Sequence, residues 1–200
     1  GRMIAPDDLP DVAPQAVFVG GISLAVDPCA LAFEALAAHH AGRAVVMMDT
    51  NIRPAFIADE TTFRARMARM LDYCDIVKLS DEDLGWLMSG QSVAEAAQKL
   101  VNGGVRLLCV TEGAEGVTGY TPQHTIKVAA EKATVVDTVG AGDTFNAGLM
   151  ASLHRDGVLQ KGKIGDLSQD AVKRALTMGA KAAAITVSRA GANPPWASEL

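Results

Sequence analysis

Three short apolar runs, 15–20 (QAVFVG), 43–49 (RAVVMMD) and 75–79 (DIVKL), each lead into a stretch whose apolar residues recur at helical spacing. A fourth run, 105–111 (VRLLCVT), closes the series. Strands that read as continuous apolar runs are buried on both faces, and such strands pair in parallel through helical crossovers. The sequence therefore predicts an α/β fold with a mostly parallel central sheet covered on both sides. The intervening helices are expected at 28–40, 61–73, 80–88 and 92–102, with Thr61 or Thr62 capping the second and Gly103-Gly104 stopping the fourth. Beyond 111 the pattern changes. Runs at 116–120 and 124–129 flank Thr121-Pro122-Gln123 and predict a hairpin. An extended, β-branched stretch at 133–136 follows, then helices at 141–155 and 169–184, a polar glycine-rich loop at 157–165 between them, and a last short strand at 185–187.

Length and charge narrow the possibilities. Two hundred residues suffice for one domain with a buried core. The net charge is −5 and no basic block occurs, which disfavours nucleic acid as a partner. No run approaches the ~18 apolar residues that span a bilayer, and Gly1-Arg2-Met3 opens no signal-peptide core, so no membrane role is expected. Residues 1–14 read as a connector. Cys29, Cys74 and Cys109 are widely spaced in apolar surroundings, as reduced thiols of a cytoplasmic protein would be. His39, His40, His124 and His154 read as surface residues, and Trp86 and Trp196 as packing residues.

The chemistry concentrates in Asp137-Thr138-Val139-Gly140-Ala141-Gly142-Asp143-Thr144-Phe145-Asn146. Two glycines stand where the extended stretch must turn sharply into a helix. Asp143 falls in the first turn of that helix. Unpaired backbone N–H groups there can receive an anion, with a carboxylate beside them. A dinucleotide turn is disfavoured, because Phe145 stands where a third small residue belongs and no strand ending in an acid follows. No G-x-x-x-x-G-K-[ST] sequence is present. Ligands of open α/β sheets bind beyond the carboxyl ends of the strands. Asn51, Arg53, Lys78, Ser80, Thr111 and Asp143 all fall there. Arg53 can pair with a phosphate through two N–H groups. Thr111-Glu112-Gly113-Ala114-Glu115-Gly116 reads equally as a plain turn between strands, and Asp81-Glu82-Asp83 as the acidic first turn that a helix dipole favours.

The 137–146 run resembles the second signature of the ribokinase-like (PfkB) carbohydrate kinases, and the similarity extends over essentially the whole chain as the C-terminal two-thirds of that fold. The resemblance implies a ribokinase-like three-layer α/β/α architecture whose N-terminal strands and β-lid are absent from this chain. Residues 1–200 would then form one α/β nucleotide-binding and catalytic domain, N-terminally incomplete, with Gly1 not the natural start. In isolation such a piece is expected to aggregate or be inactive.

The same resemblance implies roles. Asp143 would be the base that takes the proton from a sugar hydroxyl. The amides of Gly140, Ala141, Gly142 and Asp143 would hold the transferring phosphoryl group. Lys78, Ser80, Thr111, Gly113 and Gly116 would meet ATP, and Gly179 with the small residues after it would form the adenine wall. Asn51 and Arg53 would border the substrate and its phosphate. Mg²⁺ would be organised by Asp83 or Glu82. Here the chain departs from the family's N-x-x-E stretch, with Ser80 for Asn and a shorter Asp83 for Glu, so the nucleotide phosphates can also be the metal's main ligands. K⁺ would be held by Asp137 and Thr138 with backbone carbonyls of the loop at 186–192. The stretches around Lys78 and Ser188 look most like the fructokinase branch, so fructose is the expected acceptor. 2-Keto-3-deoxygluconate comes next, and ribose or a nucleoside third. A non-catalytic sugar or nucleotide sensor is the rival of another class, a dinucleotide-linked dehydrogenase a third class, and a homodimer through the lid is the implied assembly.

Overall fold

The computed structural model describes residues 4–200, so the opening Gly1-Arg2-Met3 lies outside the described residues. Six strands form one sheet in sequential order: β1 (Ala16–Gly20), β2 (Val45–Asp49), β3 (Ile76–Ser80), β4 (Leu107–Thr111), β5 (Val117–Tyr120) and β6 (Thr125–Val128). The first four are parallel, and β5 and β6 continue the sheet as an antiparallel hairpin. Among the described residues six α-helices accompany them: α1 (Cys29–His40), α2 (Glu60–Tyr73), α3 (Asp81–Leu87), α4 (Val93–Asn102), α5 (Ala141–Arg155) and α6 (Gln169–Val187). None is long and apolar enough to cross a membrane.

Alternation along each strand divides the core into two. Val46, Met48, Val77, Leu79, Leu108 and Val110 face Ala37 of α1, Phe63 and Met67 of α2 and Ala97 of α4. Val45, Met47, Ile76, Leu107 and Cys109 face Phe145 and Leu149 of α5 and Val172 and Leu176 of α6. Both faces of β2, β3 and β4 are thus dry, which is why their runs carry no polar alternation, whereas β1 leaves Phe18 40% exposed on one face. The three-layer α/β/α arrangement expected from the sequence is the one observed.

Several local expectations are corrected. Helix α2 starts earlier than predicted, because Asp59 caps it by accepting from the amides of Thr61 at 2.9 Å and Thr62 at 3.3 Å. Residues 133–136 form no strand; Val135 and Val136 are exposed, and the Val136 amide instead reaches the Val187 carbonyl at 2.7 Å. Residues 185–187 also form no strand. The alanine-rich end of α6 stays helical to Val187, where the Thr186 hydroxyl bonds back to the Ala182 carbonyl. The 157–165 loop is not wholly a surface feature, since Leu159 and Ile164 are buried in the α5–α6 core. His40 is buried, and burial pushes its pKa down. Trp196 is 78% exposed and packs little, whereas Trp86 lies edge-on to Phe63 under the Arg64 guanidinium. Cys74 and Cys109 are buried thiols, each pushed up to about 12 by desolvation.

Candidate active site

The carboxyl ends of β2, β3 and β4 converge on the start of α5. In register, Asp49 of β2 lies beside Lys78 of β3. Their side chains form a buried ion pair at 3.2 Å, 6% and 10% exposed respectively. A charge pair this dry survives only if its remaining polar atoms are satisfied. Asp49 also accepts from the Asn146 side-chain amide at 2.7 Å and from the Asn51 amide at 3.2 Å. Lys78 Nζ spreads its contact over both Asp49 oxygens at 3.2 and 3.3 Å, which leaves the ammonium free donors.

Directly above this pair runs the glycine turn. Gly140 takes φ 80° as the N-cap of α5, a left-handed conformation that glycine adopts without penalty. A Cβ at Gly142 would lie 3.2 Å from Lys78 Nζ and 3.6 Å from Asp49 Oδ2, so the bare backbone lets helix and ammonium approach. Gly142 and Asp143 occupy the first turn of α5, where a helix offers their amides no acceptor. The Ala141 amide, expected in the same anion hole, already donates to the Thr138 carbonyl at 3.3 Å. Asp143 is exposed, and its carboxylate has no partner among the described residues.

A cleft of 580 Å³ opens beside the turn. Lys78, Thr111, Gly113, Gly116, Thr138, Ala141 and Gly142 line it. Gly113 and Gly116 both hold positive φ, and at Gly116 a Cβ would strike the Val128 carbonyl oxygen at 2.1 Å. The opposite wall is apolar: Phe145 of α5, Ala180, Ala183, Ala184 and Val187 of α6, and Val135 from the preceding loop.

Other expected site residues lie elsewhere. Gly179 does not line the cleft. It is buried where α5 and α6 cross, and a Cβ there would meet the Phe145 ring at 2.8 Å. The next turn of α6 supplies the wall instead. Ser80 caps α3, its hydroxyl accepting from the Asp83 amide at 3.0 Å. Asn51 and Arg53 sit on the loop after β2. Asn51 has φ 37°, and Arg53 is exposed, with one guanidinium N–H on the Ile52 carbonyl. Glu82 is exposed, whereas Asp83 is buried and both its oxygens accept protein donors, Thr50 Oγ1 at 2.9 Å and the Ile52 amide at 3.2 Å. That donor set does not fit a magnesium ligand, and no group of three His, Cys, Asp or Glu side chains among the described residues could enclose a metal ion. Asp137 accepts from the amides of Val139 at 3.0 Å and Gly191 at 2.9 Å, which hold its carboxyl below the usual range.

Sequence reasoning gave no role to Asn146 and Thr50. Both are buried polar residues beside named motifs. Asn146 stands three residues after Asp143 on α5, amid apolar neighbours, and a polar residue at a core-facing helical position was the available signal.

Comparisons with known proteins match most of the chain. Residues 10–199 match the model of the pfkB family carbohydrate kinases. A fructokinase from Rhizobium leguminosarum bv. trifolii is 47% identical over 176 residues, 86% of this chain and 54% of its own length. The crystal structure of a fructokinase with bound ATP from Xylella fastidiosa superposes with a TM-score of 0.85 at 25% identity, covering 94% of this chain and 61% of that one. A fructokinase double mutant from Vibrio cholerae O395, bound to fructose, ADP and potassium, gives 0.83 at 26% identity over 95% of this chain and 60% of that one. The chain spans about half the length of the curated relatives it matches.

Proposed function

This chain belongs to the pfkB family of carbohydrate kinases, and we propose that it is the nucleotide-binding and catalytic domain of an ATP-dependent sugar kinase whose acceptor is fructose. The observation that carries the reading is the coincidence, around one cleft, of a left-handed glycine turn, a half-paired buried ammonium and a glycine-rich loop, with the unpartnered Asp143 next to Gly142. Fructose as acceptor is supported by the 47% identical fructokinase.

Phosphoryl transfer asks a protein mainly for positioning and charge stabilisation. In this reading the adenine ring lies against Ala180, Ala183 and Ala184, and Thr111, Gly113 and Gly116 meet the ribose and phosphates. Lys78 reaches up from beneath Gly142 to the transferring phosphoryl group. The free amides of Gly142 and Asp143, helped by the positive end of α5, receive its oxygens. Asp143 takes the proton of the attacking hydroxyl, and Asn51 and Arg53 border the acceptor. Mg²⁺ would supply neutralisation of phosphate charge, and the phosphates themselves would be its main ligands. A monovalent cation would be held by the Asp137 carboxylate, which already ties the 137–139 turn to the loop at Gly191. The reading keeps the cytoplasmic setting and the homodimer expected from the sequence.

The test is ADP release by the full-length protein with fructose, 2-keto-3-deoxygluconate, ribose and adenosine run side by side. Turnover confined to fructose is the expected result. Turnover on another of the four reassigns the acceptor, and ATP binding without turnover on any favours a sensor. Activity should also rise more with K⁺ than with Na⁺; equal activity in both would remove the cation assignment.

A further inference from the structure

The loop after β2 is held by two carboxylates that come from different layers. Asp49, at the end of β2, accepts the Asn51 amide at 3.2 Å. Asp83, in the first turn of α3, accepts the Thr50 hydroxyl at 2.9 Å through one oxygen and the Ile52 amide at 3.2 Å through the other. Three consecutive residues are therefore gripped from both sides. Between the grips, Asn51 takes φ 37°, the one positive φ among the described non-glycine residues. A non-glycine residue stays in that region only when its surroundings over-determine it.

We infer that Asp83 is a positioning residue, whose buried carboxylate holds the 50–53 loop and so presents Asn51 and Arg53 to the acceptor sugar, and that it is not a magnesium ligand. Asp83 is 6% exposed, and each of its oxygens accepts from a protein donor. It does not line the cleft. Its own seat is fixed by the Ser80 hydroxyl, which accepts its amide. Magnesium instead keeps several waters and near-octahedral geometry, which a buried carboxylate facing two protein donors cannot supply. The Thr50 amide adds a third tie, donating to the Lys78 carbonyl at 3.0 Å, so hydrogen bonds link the loop to both the ammonium-bearing strand and α3. What the loop touches rests on the sugar-kinase reading; what holds the loop does not.

The test uses the full-length protein and the variants Asp83→Asn, Asp83→Ala and Thr50→Val. Four quantities are measured: the KM for sugar, the KM for ATP, the Mg²⁺ concentration giving half-maximal activity, and the hydrogen-exchange rate of the Ile52 amide. Asparagine keeps an acceptor for the Ile52 amide and an amide that can donate to the Thr50 hydroxyl. Asp83→Asn should therefore stay close to wild type in all four. Asp83→Ala should raise the sugar KM about tenfold and speed Ile52 exchange, with the ATP KM and Mg²⁺ requirement unchanged. Thr50→Val should shift the sugar KM in the same direction by less. A Mg²⁺ requirement that rises equally in the Asn and Ala variants, at unchanged sugar KM, would overturn the inference and make Asp83 a metal ligand. If Asp83→Ala does not fold, the Asn and Val variants still decide. If the wild type phosphorylates no sugar, the kinase reading fails by itself, and Ile52 exchange in the variants still tests what holds the loop.

Discussion

Two aspartate–lysine pairs lie at opposite ends of the same sheet, and they are built differently. At the carboxyl end, Asp49 and Lys78 meet at 3.2 and 3.3 Å, are almost fully buried, and share the carboxylate with Asn146 and the Asn51 amide. At the amino end, Lys161 lies 2.8 Å from each oxygen of Asp75, which also accepts the Val46 amide. The second pair is close and symmetric, and it ties the 157–165 loop to the start of β3. The first is longer, sits under a glycine turn and borders a cleft. A lysine whose only task is structural can be drawn fully onto its carboxylate. Lys78 is held by Asp49 but retains donors for an incoming anion. Burying charge is costly, and at the carboxyl end a bound phosphate would offset that cost.

Substitutions at the two ends should separate these roles. Lys78→Met leaves Asp49 buried without its cation and should cost about 3–5 kcal/mol of stability, read from denaturant midpoints, together with a marked loss of ATP affinity. Gly179→Ala pushes a methyl group against the Phe145 ring and should cost about 1–3 kcal/mol. Because α5 carries the glycine turn, turnover should fall with it. Lys161→Met should cost about 1–2 kcal/mol, less than its counterpart because Lys161 is partly exposed and water can replace it. Turnover per folded molecule should not change. Loss of turnover in Lys161→Met at intact stability would give the amino-end pair a part in the reaction and contradict its purely structural role. The smallest effect is that of pH on Asp137. Backbone amides hold its folded pKa below the unfolded value. Its contribution is therefore present above the ordinary aspartate pKa and lost as pH falls through the folded one. The stability difference between wild type and Asp137→Asn should be present at neutral pH and shrink below about pH 4.

The central sheet was legible because β2, β3 and β4 are buried on both faces and so read as unbroken apolar runs; β1 reads the same way although Phe18 on one of its faces is exposed. The helices expected to open at Ser80 and Ser92 do so, each serine capping its helix, whereas the cap expected at Thr61 or Thr62 is supplied by Asp59. Beyond the local cap of α2, what failed depended on partners distant in sequence. Val135 and Val136 have strand composition but no neighbouring strand to pair with. Residues 185–187 have β-branched ends, yet they continue a helix already packed on the sheet. Gly179 looked like a ligand-facing small residue because sequence does not say which face of α6 meets Phe145. For the site, the glycine turn announced itself, whereas the function of Asp83 did not. Its partners Thr50 and Ile52 are 33 and 31 residues away and become neighbours only when β2 and β3 pair.

In the proposed reaction, the carboxyl end of the sheet transfers a phosphoryl group with Asp143 as the base. The most direct measurement is sugar phosphate formation by the full-length Asp143→Asn protein, with ATP binding measured alongside by calorimetry. Turnover should fall about 10³-fold while ATP affinity stays within a few-fold of wild type. Substantial remaining turnover at intact ATP affinity would contradict the claim and move the base to another residue.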